Sequence, residues 1–170
     1  MPKAYKITSD PFFVNGSITE SGNNTYTQNE VSLPLDSLNQ EGVLVHAVYF
    51  TSTEPSRAPN TQTVCALQVT STSKTGTVGA NDANLIARRQ IITIGGAAEF
   101  SGPHILDMIG QDAPYQESDN LGLIATDNVF FAVLGSGNTA PMSGEFRMVC
   151  SRVKLDSAAY AALVTNELTS

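Results

Sequence analysis

The chain is poor in the residues on which most enzyme and metal chemistry depends. It has two cysteines, two histidines and no tryptophan among 170 residues. Two cysteines are too few for a disulfide scaffold, and two cysteines with two histidines at wide spacing do not build a zinc site. Cys65 and Cys150 both fall in apolar segments, which favours two buried free thiols over a disulfide.

Charge is also sparse, and one sign prevails. Charged residues make up 15% of the chain, and 16 acids against 9 bases give a net charge of -7. A chain this acidic does not coat nucleic acid or adsorb to anionic membranes by general electrostatics. Arg88-Arg89 is the only adjacent basic pair, and its expected role is in salt bridges or interface contacts. The sequence therefore predicts no strong nucleic-acid binding.

Long apolar runs are missing as well. No run approaches the ~20 residues that a membrane-spanning helix needs. The N-terminal residues Met1–Lys6 are followed by no apolar segment of the kind found in signal peptides. We therefore expect a cytoplasmic product without membrane insertion.

What the chain does have is a series of short apolar segments separated by Gly, Pro, Asn, Asp and Ser. Such segments predict β-strands, and the strongest, Val43–Phe50, is apolar on both faces. His104–Ile109 is compatible with a strand or with one helical turn. The other predicted strands are Pro11–Val14, Thr25–Leu35, Thr63–Val69, Ile91–Ile94, Val129–Leu134 and Glu145–Leu155.

Turn-forming residues mark the predicted connections. Asn15-Gly16-Ser17 predicts a turn after the first strand, and Gly135–Asn138 predicts a hairpin turn. The polar stretches 71–84 and 110–122 predict exposed loops. Gly135–Ala140 matches a Gly-x-Gly-x-x-Ala dinucleotide pattern, but no helix opens after it, so no cofactor is expected.

One segment, at about 156–168, has the periodicity of a helix. Asp156 or Ser157 is placed to cap its N-terminus by accepting a backbone N–H bond. Its apolar side chains recur at i, i+3, i+4 and i+8 and form a single stripe. This stripe consists of Tyr160, Leu163, Val164 and Leu168.

Seven or eight predicted strands with no helix between them exclude βαβ units and parallel sheets. The predicted fold is an all-β antiparallel sandwich, a single eight-stranded jelly roll with one short C-terminal helix. It forms one domain over residues 1–170, with an extended N-terminal segment at 1–14.

No catalytic constellation is visible, so we expect no enzyme. His46 lies mid-strand and by simple alternation shares a face with Leu44, Val48 and Phe50, which predicts a neutral core histidine with a hydrogen-bond partner. His104 follows Gly-Pro and is expected at the surface or an interface. No residue is predicted to be catalytic, to bind a cofactor or to ligate a metal.

Two features favour self-association. Phe12 and Phe13 are adjacent on an extended segment, so they point to opposite faces and only one can enter the core. The stripe of the C-terminal helix can dock on its own sandwich or on a neighbour's. The candidate inter-subunit contacts are Phe12, Phe13, Tyr160, Leu163, Val164 and Leu168.

The strand pattern, with Val43–Phe50, Val129–Leu134 and a closing run Phe146–Leu155 that leads into Asp156–Tyr160, resembles the single-jelly-roll viral capsid proteins. The resemblance implies a structural virion protein that self-assembles into an icosahedral shell in the host cytoplasm. It implies further copies of this chain as partners and, as in some such viruses, a second related capsid protein.

One departure from many coat proteins concerns the N-terminal arm. Only Lys3 and Lys6 are basic before Arg57, so the genome would be enclosed or neutralised by something else, such as an internal membrane or another protein.

The alternative is a carbohydrate-binding or fibre-type and tail-type β-sandwich adhesion module. Glycan sites usually present aromatic platforms, and a chain with no tryptophan and five tyrosines offers few residues for one.

Overall fold

The structure, a computed structural model, describes residues 5–95, 104–109 and 120–169. In that part of the chain, a 3-10 turn occupies Ser37–Asn39 and the α-helix α1 spans Ser157–Thr169. The strands are β1 (Tyr5–Ile7), β2 (Phe12–Thr19), β3 (Thr27–Ser32), β4 (Glu41–Ser52), β5 (Gln62–Thr70), β6 (Leu85–Ile94), β7 (His104–Ile109), β8 (Gly122–Ile124), β9 (Asn128–Ser136) and β10 (Ser143–Leu155).

The strands form two antiparallel sheets packed face to face. Sheet A has the order β1-β10-β4-β8, with β2 also paired to β10, and sheet B has the order β3-β9-β5-β6-β7. Consecutive strands mostly alternate between the sheets. With β1 and β7 set aside, the orders β2-β10-β4-β8 and β3-β9-β5-β6 describe an eight-stranded jelly roll. The predicted antiparallel sandwich with a C-terminal helix is therefore confirmed.

The core lies between the sheets and is centred on three aromatic rings. Phe146 of β10 stacks on Phe131 of β9 with ring centroids 4.7 Å apart. Phe50 of β4 meets the same Phe146 ring edge to face at 5.4 Å. Offset-stacked and edge-to-face pairs are the favoured aromatic geometries, so both sheets are held by one cluster.

The predicted turn at Asn15-Gly16-Ser17 is wrong, because all three residues lie inside β2. A Cβ atom on Gly16 would lie 2.6 Å from the Phe131 ring. The glycine is therefore needed for close packing across the sandwich and not for a change of chain direction.

The prediction that Leu44, Val48 and Phe50 share one face of the strand with His46 is also wrong in part. Leu44 packs in a cluster on the outer side of sheet A, whereas Val48 and Phe50 lie in the core between the sheets. A register shift opposite Val149 and Cys150 inserts one extra residue into β4. Such a β-bulge reverses the alternation of faces, which a strict period of two does not foresee.

Gly135–Asn138 does not form the predicted hairpin turn. β9 belongs to sheet B and β10 to sheet A, so the segment between them crosses from one sheet to the other. Gly137 has a φ of 72° and provides the bend. The predicted strand at 91–94 was too short, since β6 begins at Leu85, and most of the predicted loop at 110–122 lies outside the described residues.

Candidate functional site

The outer face of sheet A, which points away from sheet B, is divided into a covered half and an open half. Helix α1 covers the first half. Its side chains Tyr160, Leu163 and Val164 pack against Leu44 and Leu155, which belong to sheet A. The helix begins where predicted, because the Asp156 carboxylate accepts a bond from the Ala159 N–H at 2.7 Å.

A buried carboxylate fixes the far end of the helix. Glu167 is only 7% exposed. It accepts one hydrogen bond from the backbone N–H of Ala125 at 3.2 Å and one from Thr126 at 2.9 Å. These residues directly follow β8, so the helix is bonded to the sheet it covers.

The open half of the same face carries a surface that we name the outer-face patch. Three strands contribute to it in register. Val149 of β10 lies beside Phe13 of β2, and Arg147 of β10 lies between Asn15 of β2 and Tyr49 of β4. The patch consists of Phe13, Asn15, Tyr49, Glu145, Arg147 and Val149.

The patch exposes two aromatic side chains. Phe13 is 61% exposed and Tyr49 is 48% exposed. Phe12, the neighbour of Phe13, instead packs against the core. The prediction that the two phenylalanines point to opposite faces is therefore confirmed, and Phe13 is the one that faces outward.

Arg147 is held at the centre of the patch. Its Nε donates to Asn15 Oδ1 at 3.2 Å, and its guanidinium carbon lies 5.4 Å from the centroid of the Phe13 ring. A cation over an aromatic face is attracted by the ring quadrupole. Glu145, two residues along β10, forms no salt bridge with any residue that the structure describes.

These side chains line a shallow groove of about 960 Å³. The groove offers aromatic surface, one positive charge and one negative charge on a rigid three-stranded floor. Such a surface is suited to binding another molecule, since exposed apolar patches rimmed by polar residues mark interaction sites.

The outer face of sheet B is covered in a different way. The stretch 71–84, predicted to be an exposed loop, lies against this face, and Ser71, Thr72 and Asn84 in it are buried. Gln68 of β5 is fully buried under it, donating to the Gly76 carbonyl at 3.1 Å and accepting from the Val78 N–H at 2.9 Å.

The basic pair Arg88-Arg89 serves the fold. Arg88 donates to the Val78 carbonyl at 2.7 Å and to Gln90 Oε1 at 2.7 Å. Arg89 donates to the Phe50 carbonyl at 2.8 Å, and thereby joins β6 of sheet B to β4 of sheet A.

His46 is half-buried and has the expected partner, since its Nε2 lies 2.9 Å from Ser151 Oγ. Burial lowers the pKa of His46 below its ordinary value of 6.5, so the ring is neutral at physiological pH. His104 lies in β7 opposite Ile92, but its side chain is outside the described part of the structure, so the predicted surface or interface position stays a prediction.

Cys65 and Cys150 are buried free thiols, as predicted. Burial raises the pKa of Cys65 to about 11 and that of Cys150 to about 12. The thiolate is the reactive form of cysteine, so neither residue is a nucleophile at neutral pH.

The sequence-predicted contact residues do not form one surface. Tyr160, Leu163 and Val164 are half-buried against their own sheet, whereas Leu168 is 75% exposed near the end of α1. Whether any of them contacts another subunit stays a prediction. Sequence reasoning missed Tyr49 and Arg147. The signal available for them was the alternation of side chains along a strand, which places Arg147 on the same face as Glu145 and Val149.

No protein-family model matches the chain, and no curated protein matches it. Among solved structures, it is similar to a chain from Desmodium yellow mottle tymovirus, with 13% sequence identity and a TM-score of 0.29 over 93% of this chain and 96% of that one. A TM-score this low supports no conclusion about this chain. The fold assignment is based on the strand order of the two sheets.

No helix in the described part of the chain is long and apolar enough to cross a membrane. No group of three or more His, Cys, Asp or Glu side chains in that part of the chain is arranged to hold a metal ion.

Proposed function

We propose that this chain is a structural shell protein, a capsid protein whose copies assemble into an icosahedral virion shell, and that it is not an enzyme. The observation that supports the proposal most is the outer-face patch. A rigid sheet exposes Phe13 at 61% and Tyr49 at 48% on the one half of its face that helix α1 leaves open. Patches of this kind commonly bind other proteins.

The jelly-roll topology is consistent with this role, as is the resemblance of the strand pattern to single-jelly-roll capsid proteins. Closed shells repeat one contact around every symmetry axis, so a modest patch on each subunit contributes many times over. In this proposal the chain resides in the virion after assembly in the host cytoplasm, with its own copies and a second capsid protein as partners.

The genome is not a partner in this proposal. The net charge is -7, and the two arginines of the Arg88-Arg89 pair donate to carbonyl groups within the chain. A layer between shell and genome would then supply the positive charge that genome packaging requires.

Electron microscopy and light scattering of the purified protein test the proposal. Closed particles of uniform diameter are the expected result. A protein that stays monomeric at high concentration, and that is a monomer in its native source, would contradict it.

A truncation series refines this test. β1 pairs with β10 of the same chain, and both Phe12 and Val14 contribute to the core. Deleting residues 1–14 would therefore remove core side chains, whereas deleting residues 1–10 leaves β2 complete. We expect the shorter deletion to leave the sandwich folded, so that a loss of particles reports on assembly.

A second candidate function is glycan binding, as in an adhesion module. The outer-face patch favours it, because Phe13 and Tyr49 offer exposed aromatic surface beside the polar side chains Asn15, Glu145 and Arg147. A saccharide panel titrated against wild type and Tyr49→Ala separates the two functions. Saturable binding that Tyr49→Ala abolishes, by a protein that forms no particles, would favour the adhesion module.

A further inference from the structure

The outer-face patch carries two opposite charges at adjacent positions of one strand face. Arg147 and Glu145 are both exposed and lie two residues apart on β10, so both point away from sheet B. Successive side chains on one face of a strand are ~6.8 Å apart. In the part of the chain that the structure describes, the two do not form a salt bridge with each other.

From this arrangement we propose that the outer-face patch is a two-fold contact surface that binds the same patch of a second copy of this chain. The inference deepens the proposed shell function by naming one of its contacts. A two-fold contact brings a surface against itself. A patch with a single sign of charge would repel its copy, whereas one cation beside one anion is self-complementary.

The geometry of the contact follows from the positions on β10. The two-fold axis lies midway between the facing A sheets of the two subunits and runs perpendicular to their strands, passing between Arg147 and Glu145. Rotation about this axis lays β10 antiparallel over its copy. Arg147 of each subunit then faces Glu145 of the other, so the contact contains two reciprocal ion pairs. Tyr49 and Phe13 flank these pairs on neighbouring strands and exclude water from them.

Arg147 is already oriented for such a contact. Its Nε donates to Asn15 Oδ1 and its guanidinium carbon lies 5.4 Å from the centroid of the Phe13 ring, while its terminal nitrogens have no hydrogen-bond partner among the described residues. A guanidinium that is held in advance loses less side-chain entropy when it binds a carboxylate.

Charge reversal provides a test that does not depend on loss of folding. Arg147→Glu gives the patch two negative charges, and Glu145→Arg gives it two positive charges. Each variant alone should self-associate at least ~10-fold more weakly than wild type, because like charges then face each other. An equimolar mixture of the two variants should form a heterodimer, since the two patches are then complementary.

Sedimentation equilibrium over a concentration series, with circular dichroism to confirm folding, measures these states. Arg57→Glu, on an exposed loop where Arg57 pairs with Glu54, is the matched control and should leave self-association unchanged. A wild-type protein that shows no dimer, or a mixture that associates no better than the separate variants, would overturn the inference.

The outcome separates this inference from the shell proposal. Particles that form equally well from wild type and from both charge-reversal variants would support the shell function and overturn the two-fold contact. A charge-dependent dimer in a protein that never forms particles would support the contact and contradict the shell. Tyr49→Ala provides a second measure of the contact, and it too should weaken dimerisation.

Discussion

Gly16 on β2 and Phe131 on β9 fit together so closely that a side chain at position 16 would displace the Phe131 ring. A Cβ atom at position 16 would lie 2.6 Å from both Cδ2 and Cε2 of the Phe131 ring. Phe131 in turn stacks on Phe146. The contact therefore links β2, the outermost long strand of sheet A, to the aromatic centre of the core.

The first prediction concerns this contact. Gly16→Ala should lower the free energy of unfolding by ~1–3 kcal/mol, because overpacking a filled core forces neighbouring side chains off their rotamers. Urea denaturation measures the loss. Gly76→Ala is the matched control, since no atom lies within 4 Å of a Cβ atom added there, and equal losses in both variants would contradict the packing argument.

The second prediction concerns the anchor of helix α1. Glu167→Ala leaves the backbone N–H groups of Ala125 and Thr126 without the carboxylate that they bond in the native structure. Each unsatisfied buried donor costs ~1–3 kcal/mol, so the helix should detach before the sandwich unfolds. Limited proteolysis should then cleave the variant within residues 157–169. Ala162→Gln, on the exposed side of the helix, should be as resistant as wild type.

The third prediction concerns pH. Because burial lowers the pKa of His46 in the folded protein, the unfolded chain binds a proton more readily. The contribution of this residue to stability is therefore complete above the unfolded value of 6.5 and is lost as the pH falls from that value through the folded pKa.

His46→Gln removes the titration and keeps a group able to bond Ser151. The variant should lose less stability than wild type between about pH 7.5 and about pH 5, where histidine titrates. Thermal unfolding of the two proteins across this range measures the difference. Parallel pH profiles would show that His46 does not titrate differently in the folded and unfolded states.

The fourth prediction concerns the two thiols. Burial raises the pKa of Cys65 to about 11 and that of Cys150 to about 12, so both are protonated and inaccessible at neutral pH. Ellman's reagent should find no reactive thiol in the folded protein and two in denaturant without reductant. A disulfide would instead yield no thiol in denaturant until reductant is added.

The sequence by itself determined the class of fold and the position of the helix. Short apolar segments such as Val43–Phe50 bury one or both faces in any sheet that they join, and the helical segment after Asp156 is apolar on one side only. These are local properties, because polarity belongs to each residue and the periodic pattern is set by residues close together in the chain. The opposite orientation of Phe12 and Phe13 followed from the same alternation.

Only the tertiary structure decided what happens where distant segments meet. Gly16 looked like a turn residue because its role depends on Phe131, a residue of the opposite sheet. The bulge in β4 reversed the faces after His46 through its pairing with β10. The outer-face patch arises because β2, β10 and β4 lie side by side and α1 covers only the other end of β10 and β4. Phe13, Arg147 and Tyr49, far apart in sequence, therefore share one open surface.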